Sequence, residues 1–186
     1  MIELMIGGVR SGKSDGAENR LIDHLNDNNS LIPAYIATSV AIGQETNARI
    51  LRHQAARQSR FVNVPTTFEI DYAKSDLLSV LNTLDTPQHV ILIECLSTWV
   101  GWYLSANNSL EDNLNIFAQQ QTDLLSFLKN AKCSFIIVTG EVGCGLIGET
   151  PLQRRYADAL GELNQKVAAL SNQVFSFTAG IPQQLK

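Results

Sequence analysis

Eight consecutive residues, Gly7-Gly8-Val9-Arg10-Ser11-Gly12-Lys13-Ser14, have the types and order needed to hold a row of phosphate groups. They match G-x-x-x-x-G-K-[ST], in which glycines let the backbone curl so that successive N–H groups point inward at phosphate oxygens. A helix starting at the end of the loop adds its positive N-terminus. Lys13 then reaches the outer phosphates. Ser14 offers its hydroxyl to Mg²⁺, whose other protein contact is usually a carboxylate ending a later hydrophobic strand. Val90-Ile91-Leu92-Ile93-Glu94 supplies such a carboxylate. The plain alternatives are a chance match in a glycine-rich turn and a solvated strand-end acid at Glu94; the strand-to-helix setting argues against the first.

Two further segments carry chemistry-bearing residues. Arg49-Ile50-Leu51-Arg52-His53-Gln54-Ala55-Ala56-Arg57 reads as helical, which puts Arg49, His53 and Arg57 on one face. Flanking cations disfavour imidazolium and keep His53 neutral and nucleophilic, while the arginines can grip a polyphosphate. A solvated basic face with an incidental histidine is the alternative. His24 and His89 have no comparable setting and read as surface residues. Later, Thr139-Gly140-Glu141-Val142-Gly143-Cys144-Gly145 follows an apolar run, so a glycine-rich loop sits at a strand's carboxyl end, where α/β sheets usually bind ligands. Arg154-Arg155-Tyr156 and Asn164-Gln165 define no chemistry by spacing alone.

The elements that must position these residues are written in the apolar pattern. Short, mostly continuous apolar runs at Ile2–Ile6, Ala34–Ala37, Val90–Ile93, Phe135–Val138 and Val174–Phe177 suit strands covered on both faces. Helical spacing links Leu110, Leu114, Phe117, Leu124 and Leu128, with Ser109 as N-cap and Asp112 at the third position. Thr150-Pro151-Leu152-Gln153 writes a second start, with threonine capping, proline in the first helical position and glutamine completing a capping box, and that helix should run to about Leu170. The polar stretch Asn26–Ser30 reads as a turn or loop. Alternating strands and helices predict an α/β fold, P-loop NTPase-like, with a mostly parallel central sheet flanked by helices. At 186 residues, with no repeat or linker, residues 1–186 are expected to form a single catalytic domain.

Composition narrows the partners. A formal net charge of −4 gives none of the broad positive field on which nonspecific nucleic-acid binding relies. Cys95, Cys133 and Cys144 form no metal-ligand spacing and read as reduced thiols. No signal-peptide pattern opens the sequence and no apolar run reaches a membrane span, so a cytoplasmic protein is expected.

Taken in order, Gly7–Ser14, Tyr35-Ile36-Ala37-Thr38, Arg49-Ile50 with His53 and Arg57, Glu94-Cys95-Leu96, Glu141-Val142-Gly143, Arg154-Arg155-Tyr156 and Asn164-Gln165 resemble the adenosylcobinamide kinase/adenosylcobinamide-phosphate guanylyltransferase family, over nearly the whole chain. The resemblance implies a bifunctional enzyme of cobalamin assembly. Such an enzyme phosphorylates adenosylcobinamide with ATP or GTP, then transfers GMP from GTP to that phosphate through a guanylyl-histidine, which maps onto His53. It also implies nucleotide contacts from Gly7, Gly8, Val9, Arg10, Ser11, Gly12, Lys13, Ser14, Ala37, Thr38, Ser39, Gln54, Ala55, Ala56, Arg57 and Glu94, Mg²⁺ at Ser14 and Glu94, a corrinoid partner and a homotrimer. A relative with one activity, or a nucleotide-responsive binding protein with an inert His53, are the competing readings. The sequence departs from the family pattern at Gly43-Gln44-Glu45-Thr46, at Pro65 in place of a glutamate, and at Gly140, Cys144 and Gly148. Nothing in the sequence near Cys144 would lower its pKa, which disfavours it as a nucleophile.

Overall fold

The computed structural model describes residues 1–39, 66–69 and 76–186. Among the described residues seven strands form one sheet: β1 (Ile2–Gly7), β2 (Ile32–Ala37), β3 (Thr66–Glu69), β4 (His89–Glu94), β5 (Ser134–Gly140), β6 (Gln173–Thr178) and β7 (Ile181–Gln184). Their order is β3-β2-β4-β5-β1-β6-β7. Every pairing is parallel except β6 with β7, which is an antiparallel hairpin. Five helices are described: α1 (Lys13–Asp27), α2 (Leu77–Leu84), α3 (Leu96–Leu104), α4 (Leu110–Asn130) and α5 (Pro151–Leu170). The mostly parallel α/β architecture expected from the sequence is the one observed.

The continuous apolar runs work because alternate residues serve opposite faces of the sheet. Leu4, Ile91, Ile93, Phe135 and Ile137 belong to the core beneath α2, α3, α4 and α5. Met5, Val90, Leu92, Ile136 and Val138 belong to a separate core whose helical contribution, Ala17 and Leu21, comes from α1. Both written helix starts are realised. Ser109 accepts the Asp112 N–H at 3.1 Å. Thr150 and Gln153 form the reciprocal capping box with Pro151 in the first turn. The turn expected at Asn26–Ser30 begins two residues later, because α1 runs on to Asp27 and closes with the Asn28 N–H donating to His24. A third start went unread: Asp76 caps α2 by accepting the Ser79 N–H at 2.7 Å, with the Ser79 hydroxyl returning to the Asp76 N–H.

At the amino end of β1 lies a buried charge. Glu3 has no exposed side-chain surface and receives two hydrogen bonds from Arg20 of α1, at 2.9 and 2.6 Å. His24 Nε2 lies 3.0 Å from the same carboxylate. His24, expected from the sequence to be a surface residue, is instead a half-buried partner of Glu3. Arg20 also donates to Gln173 at the start of β6 and stacks 5.6 Å from the Phe175 ring centroid. His89, also read as a surface residue, is half-buried and pairs with the Thr86 hydroxyl at 2.8 Å.

A carboxylate with no exposed surface is costly once its cation is removed. Arg20→Ala is expected to lower unfolding stability by about 2 kcal/mol, somewhat below the usual range for buried pairs because Arg20 is a third exposed. Replacing both charges, Glu3→Leu with Arg20→Leu, is expected to recover most of the loss in urea denaturation. A single variant as stable as wild type would show that the pair does not hold β1 to α1.

Candidate active site

Parallel pairing brings the carboxyl ends of the central strands to one edge. Gly7 is in register with Gly140 of β5 and Phe177 of β6, Glu94 with Val138, and Ala37 with Glu94. Gly7–Ser14 therefore turns out of β1 beside the ends of β4 and β5 and runs into α1. Arg10 and Gly12 take left-handed backbone, with φ 57° and 90°. A side chain at Gly7 would lie 2.6 Å from Ser11 Oγ and 2.7 Å from the Phe177 carbonyl. The Ser11 N–H closes the loop onto the Gly8 carbonyl at 3.3 Å, and the Lys13 ammonium lies across it, donating to the same carbonyl at 3.0 Å.

The pairing most relevant to chemistry crosses eighty positions of sequence. Ser14 Oγ donates to Glu94 Oε1 at 2.6 Å. A hydroxyl and a carboxylate thus present two hard oxygens side by side at the phosphate loop. Mg²⁺ typically takes one or two protein oxygens and completes its shell with phosphates and water. The donor set fits that ion, and the lack of a cluster of three or more His, Cys, Asp or Glu among the described residues is compatible with it.

The strand-end residues beside Glu94 form a small polar frame. Thr38, buried at the end of β2, donates its N–H to the Glu94 carbonyl at 2.9 Å. Its hydroxyl donates to the Cys95 carbonyl at 2.7 Å and accepts the Cys95 N–H at 2.8 Å. It also lies 2.6 Å from the Thr98 hydroxyl at the start of α3. Beyond this frame opens a cavity of about 780 Å³, whose walls include Thr38, Ser39, Ser97, Trp102, Asn107 and Tyr156. None of its described lining residues is charged, so it suits the uncharged part of a substrate. Burial, with the neighbouring Cys95, pushes the Tyr156 phenol up to about 12. It stays protonated at neutral pH and donates to the Ser97 carbonyl at 3.1 Å.

The glycine-rich loop after β5 also joins the site. The Glu141 N–H donates to the Gly7 carbonyl at 3.0 Å. Its carboxylate accepts the N–H groups of Gly143 at 2.7 Å and Cys144 at 3.1 Å. Burial pushes this carboxyl up, and the two backbone donors together with the Cys144 thiol outweigh it, leaving a pKa below the ordinary value. The same carboxylate raises the Cys144 thiol, which supports reading Cys144 as no nucleophile. All three cysteines are free thiols.

Several residues that spacing alone left undefined have structural roles. Asn164 accepts the Thr139 hydroxyl at 2.7 Å and donates to the Gly140 carbonyl at 3.0 Å, tying α5 to the end of β5. Arg154 donates to the Gly148 and Glu149 carbonyls ahead of α5, at 2.9 and 2.8 Å. Arg155 and Gln165 are exposed. A side chain at Gly148 would meet the Gln153 side chain at 2.5 Å, so glycine fits this departure from the family pattern closely. The structure thus brings together Gly7, Gly8, Val9, Arg10, Ser11, Gly12, Lys13, Ser14, Ala37, Thr38, Ser39 and Glu94. Arg49, His53, Gln54, Ala55, Ala56, Arg57 and Pro65 lie outside the described residues. Trp102 and the α3 wall of the cavity were missed by sequence reading. Leu96–Leu104 had no separate signal, following β4 after the single residue Cys95.

Glu141 has a depressed carboxyl, so its contribution is fully present above the ordinary value of 4.5 and is lost as pH falls through the lowered one. Amide exchange at Gly143 and Cys144, corrected for intrinsic rate, is expected to accelerate only in that acidic range. In Glu141→Gln it is expected to be faster already at pH 7. Equal protection in both proteins would show that the carboxylate does not order the loop.

Comparison with known proteins agrees over the full length. A family model described as cobinamide kinase / cobinamide phosphate guanyltransferase matches residues 3–185. The chain is 30% identical over 194 residues to the bifunctional adenosylcobalamin biosynthesis protein CobU of Escherichia coli (strain K12), covering 100% of both. It is 32% identical over 186 residues to the corresponding protein CobP of Pseudomonas aeruginosa, covering 100% of this chain and 98% of that one. The Salmonella typhimurium CobU is 29% identical over 202 residues, again covering 100% of both. Among solved structures, a KaiC-like protein from Pyrococcus horikoshii aligns over 94% of this chain and 69% of its own, with TM-score 0.45 and 12% identity.

Proposed function

Since this chain belongs to the cobinamide kinase / cobinamide phosphate guanyltransferase family, we propose that residues 1–186 form one catalytic domain. It phosphorylates the aminopropanol hydroxyl of adenosylcobinamide from ATP or GTP, then transfers GMP from GTP to the new phosphate. The observation that carries the reading is the 2.6 Å contact of Ser14 with Glu94 at the mouth of the Gly7–Ser14 cradle. It joins a phosphate loop to the acid that ends β4, two strands away from β1 in the sheet, as in phosphoryl-transfer sites of this loop class.

In the first step the loop amides and Lys13 hold the triphosphate and offset charge on the transferred group. Ser14 and Glu94 would hold Mg²⁺, which would neutralise charge on the phosphate oxygens. In the second step the His53 imidazole attacks the α-phosphorus of GTP; a P–N bond forms, the bond to the bridging oxygen breaks and pyrophosphate departs. A corrinoid phosphate oxygen then attacks the same phosphorus and displaces the imidazole. Arg49 and Arg57 steady the charge, and Ala37, Thr38, Ser39, Gln54, Ala55, Ala56 and Arg57 complete the nucleotide contacts. These assignments rest on the family resemblance, as does a homotrimer; a cytoplasmic location rests on the sequence pattern. None of the described helices is long and apolar enough to cross a membrane.

Incubation with α-labelled GTP and Mg²⁺ is expected to give an acid-labile, base-stable label that His53→Ala abolishes. Absence of label on wild type that still phosphorylates cobinamide would leave only the kinase. For the metal, Ser14→Ala and Glu94→Gln are each expected to raise the Mg²⁺ concentration for half-maximal kinase activity by roughly tenfold, the loss of one charge-assisted contact. An unchanged Mg²⁺ requirement in both would remove these residues from the metal site.

A further inference from the structure

We propose that the β6–β7 hairpin is a working part of the phosphate site: the backbone N–H of Gly180 positions the Ser11–Gly12 peptide so that the Gly12 N–H faces the bound phosphates. The inference rests on the reading of Gly7–Ser14 as a phosphate cradle. Gly180 N donates to the Ser11 carbonyl at 2.8 Å. In a planar trans peptide the C=O and the following N–H point in opposite directions. Anchoring the Ser11 oxygen outward on the hairpin therefore turns the Gly12 N–H inward. Without the anchor that peptide is free to flip, and a flipped peptide presents an oxygen to a polyanion.

The fit between hairpin and loop is close at three places. A side chain at Gly12 would come within 2.8 Å of the Gly180 Cα. The Phe177 carbonyl stands 2.7 Å from where a Gly7 side chain would be, and the Phe177 ring occupies the corresponding position at Gly16 in the first turn of α1. Ser11 is buried beneath this contact. The hairpin turn is itself shaped for it. Thr178 pairs with Ile181 across a two-residue connection, and Ala179 and Gly180 both take left-handed backbone, with φ 51° and 83°. This matches the twist that tight hairpins require. Two positive-φ residues in succession place the Gly180 N–H at the loop. Gly180 carries no side chain and acts only through Ser11 and Gly12, so it is a positioning residue.

The test separates this role from stability. Gly180→Ala strains the turn, and Gly180→Val, with a β-branched side chain at positive φ, strains it further. Affinities for GTP and for inorganic tripolyphosphate, each with Mg²⁺, are measured by calorimetry. Both variants are expected to weaken both ligands by the same factor, roughly tenfold for Gly180→Val, as one phosphate hydrogen bond is lost. The KM for nucleotide should rise while the KM for cobinamide stays unchanged. Leu128→Ala removes a buried side chain of α4 and serves as the destabilised control, expected to bind both ligands like wild type. Wild-type affinity in the Gly180 variants would overturn the proposal, and so would an equal loss in Leu128→Ala. Should Gly180→Val not fold, Gly180→Ala decides alone. Wild type that binds neither GTP nor tripolyphosphate would instead refute the phosphate reading itself.

Discussion

Everything at the site follows from parallel pairing of β1 with β5 on one side and β6 on the other. Parallel strands end at the same edge, so the residues that leave them meet there whatever their distance in sequence. Gly7 finishes level with Gly140 and Phe177, and Glu94 level with Val138. The phosphate loop and the Glu141 loop are products of that register, and the pairing of β5 with β4 brings the acid opposite Ser14 to the same edge. A shift by one residue would send Leu4 and Met5 to the wrong cores and carry Gly7 away from Glu141. The buried Glu3 and its partners Arg20, His24 and Gln173 lie at the other end of the same strand.

The backbone polar groups of the phosphate loop are divided between inside and outside. The outward carbonyls have protein donors: Gly7 takes the N–H of Glu141, and Gly8 the N–H of Ser11 and the ammonium of Lys13. On the proposed reading, a bound polyphosphate would take up the inward N–H groups of the cradle, several at once. This explains why a glycine-rich connection after β5, far from the loop in sequence, has a part in its shape. It also gives the Thr139–Asn164–Gly140 bonds a purpose, since they hold the strand end from which Glu141 departs.

Much of this was legible in the sequence, for definite reasons. The five apolar runs are strands because both faces are covered, and continuous apolarity has no other use in segments that short. The Ser109 and Thr150 caps are written locally in side chains that do one thing at a helix start. What escaped reading is what depends on distant partners. His24 reads as polar surface until Glu3 is placed beneath it. Asn164 reads as a helix-surface amide until Thr139 arrives. β7, with exposed residues and Pro182, has no strand pattern of its own; it exists because β6 offers an edge, and proline is tolerated there. α2 is different, since its Asp76–Ser79 box was available and simply short.

The position of β1 also governs how the chain can be made. It is synthesised well before its two neighbours, which begin near Phe135 and Gln173. Until those residues have emerged, both edges of an apolar strand stand unpaired, while β2 and β4 already have each other. Closing loops that long before any pairing compensates is slow, and exposed edges in the interval invite pairing with other chains. The same central placement that shelters the phosphate loop in the finished protein leaves its strand among the last to be secured, so a nascent chain is most exposed to aggregation before the β6–β7 hairpin is complete.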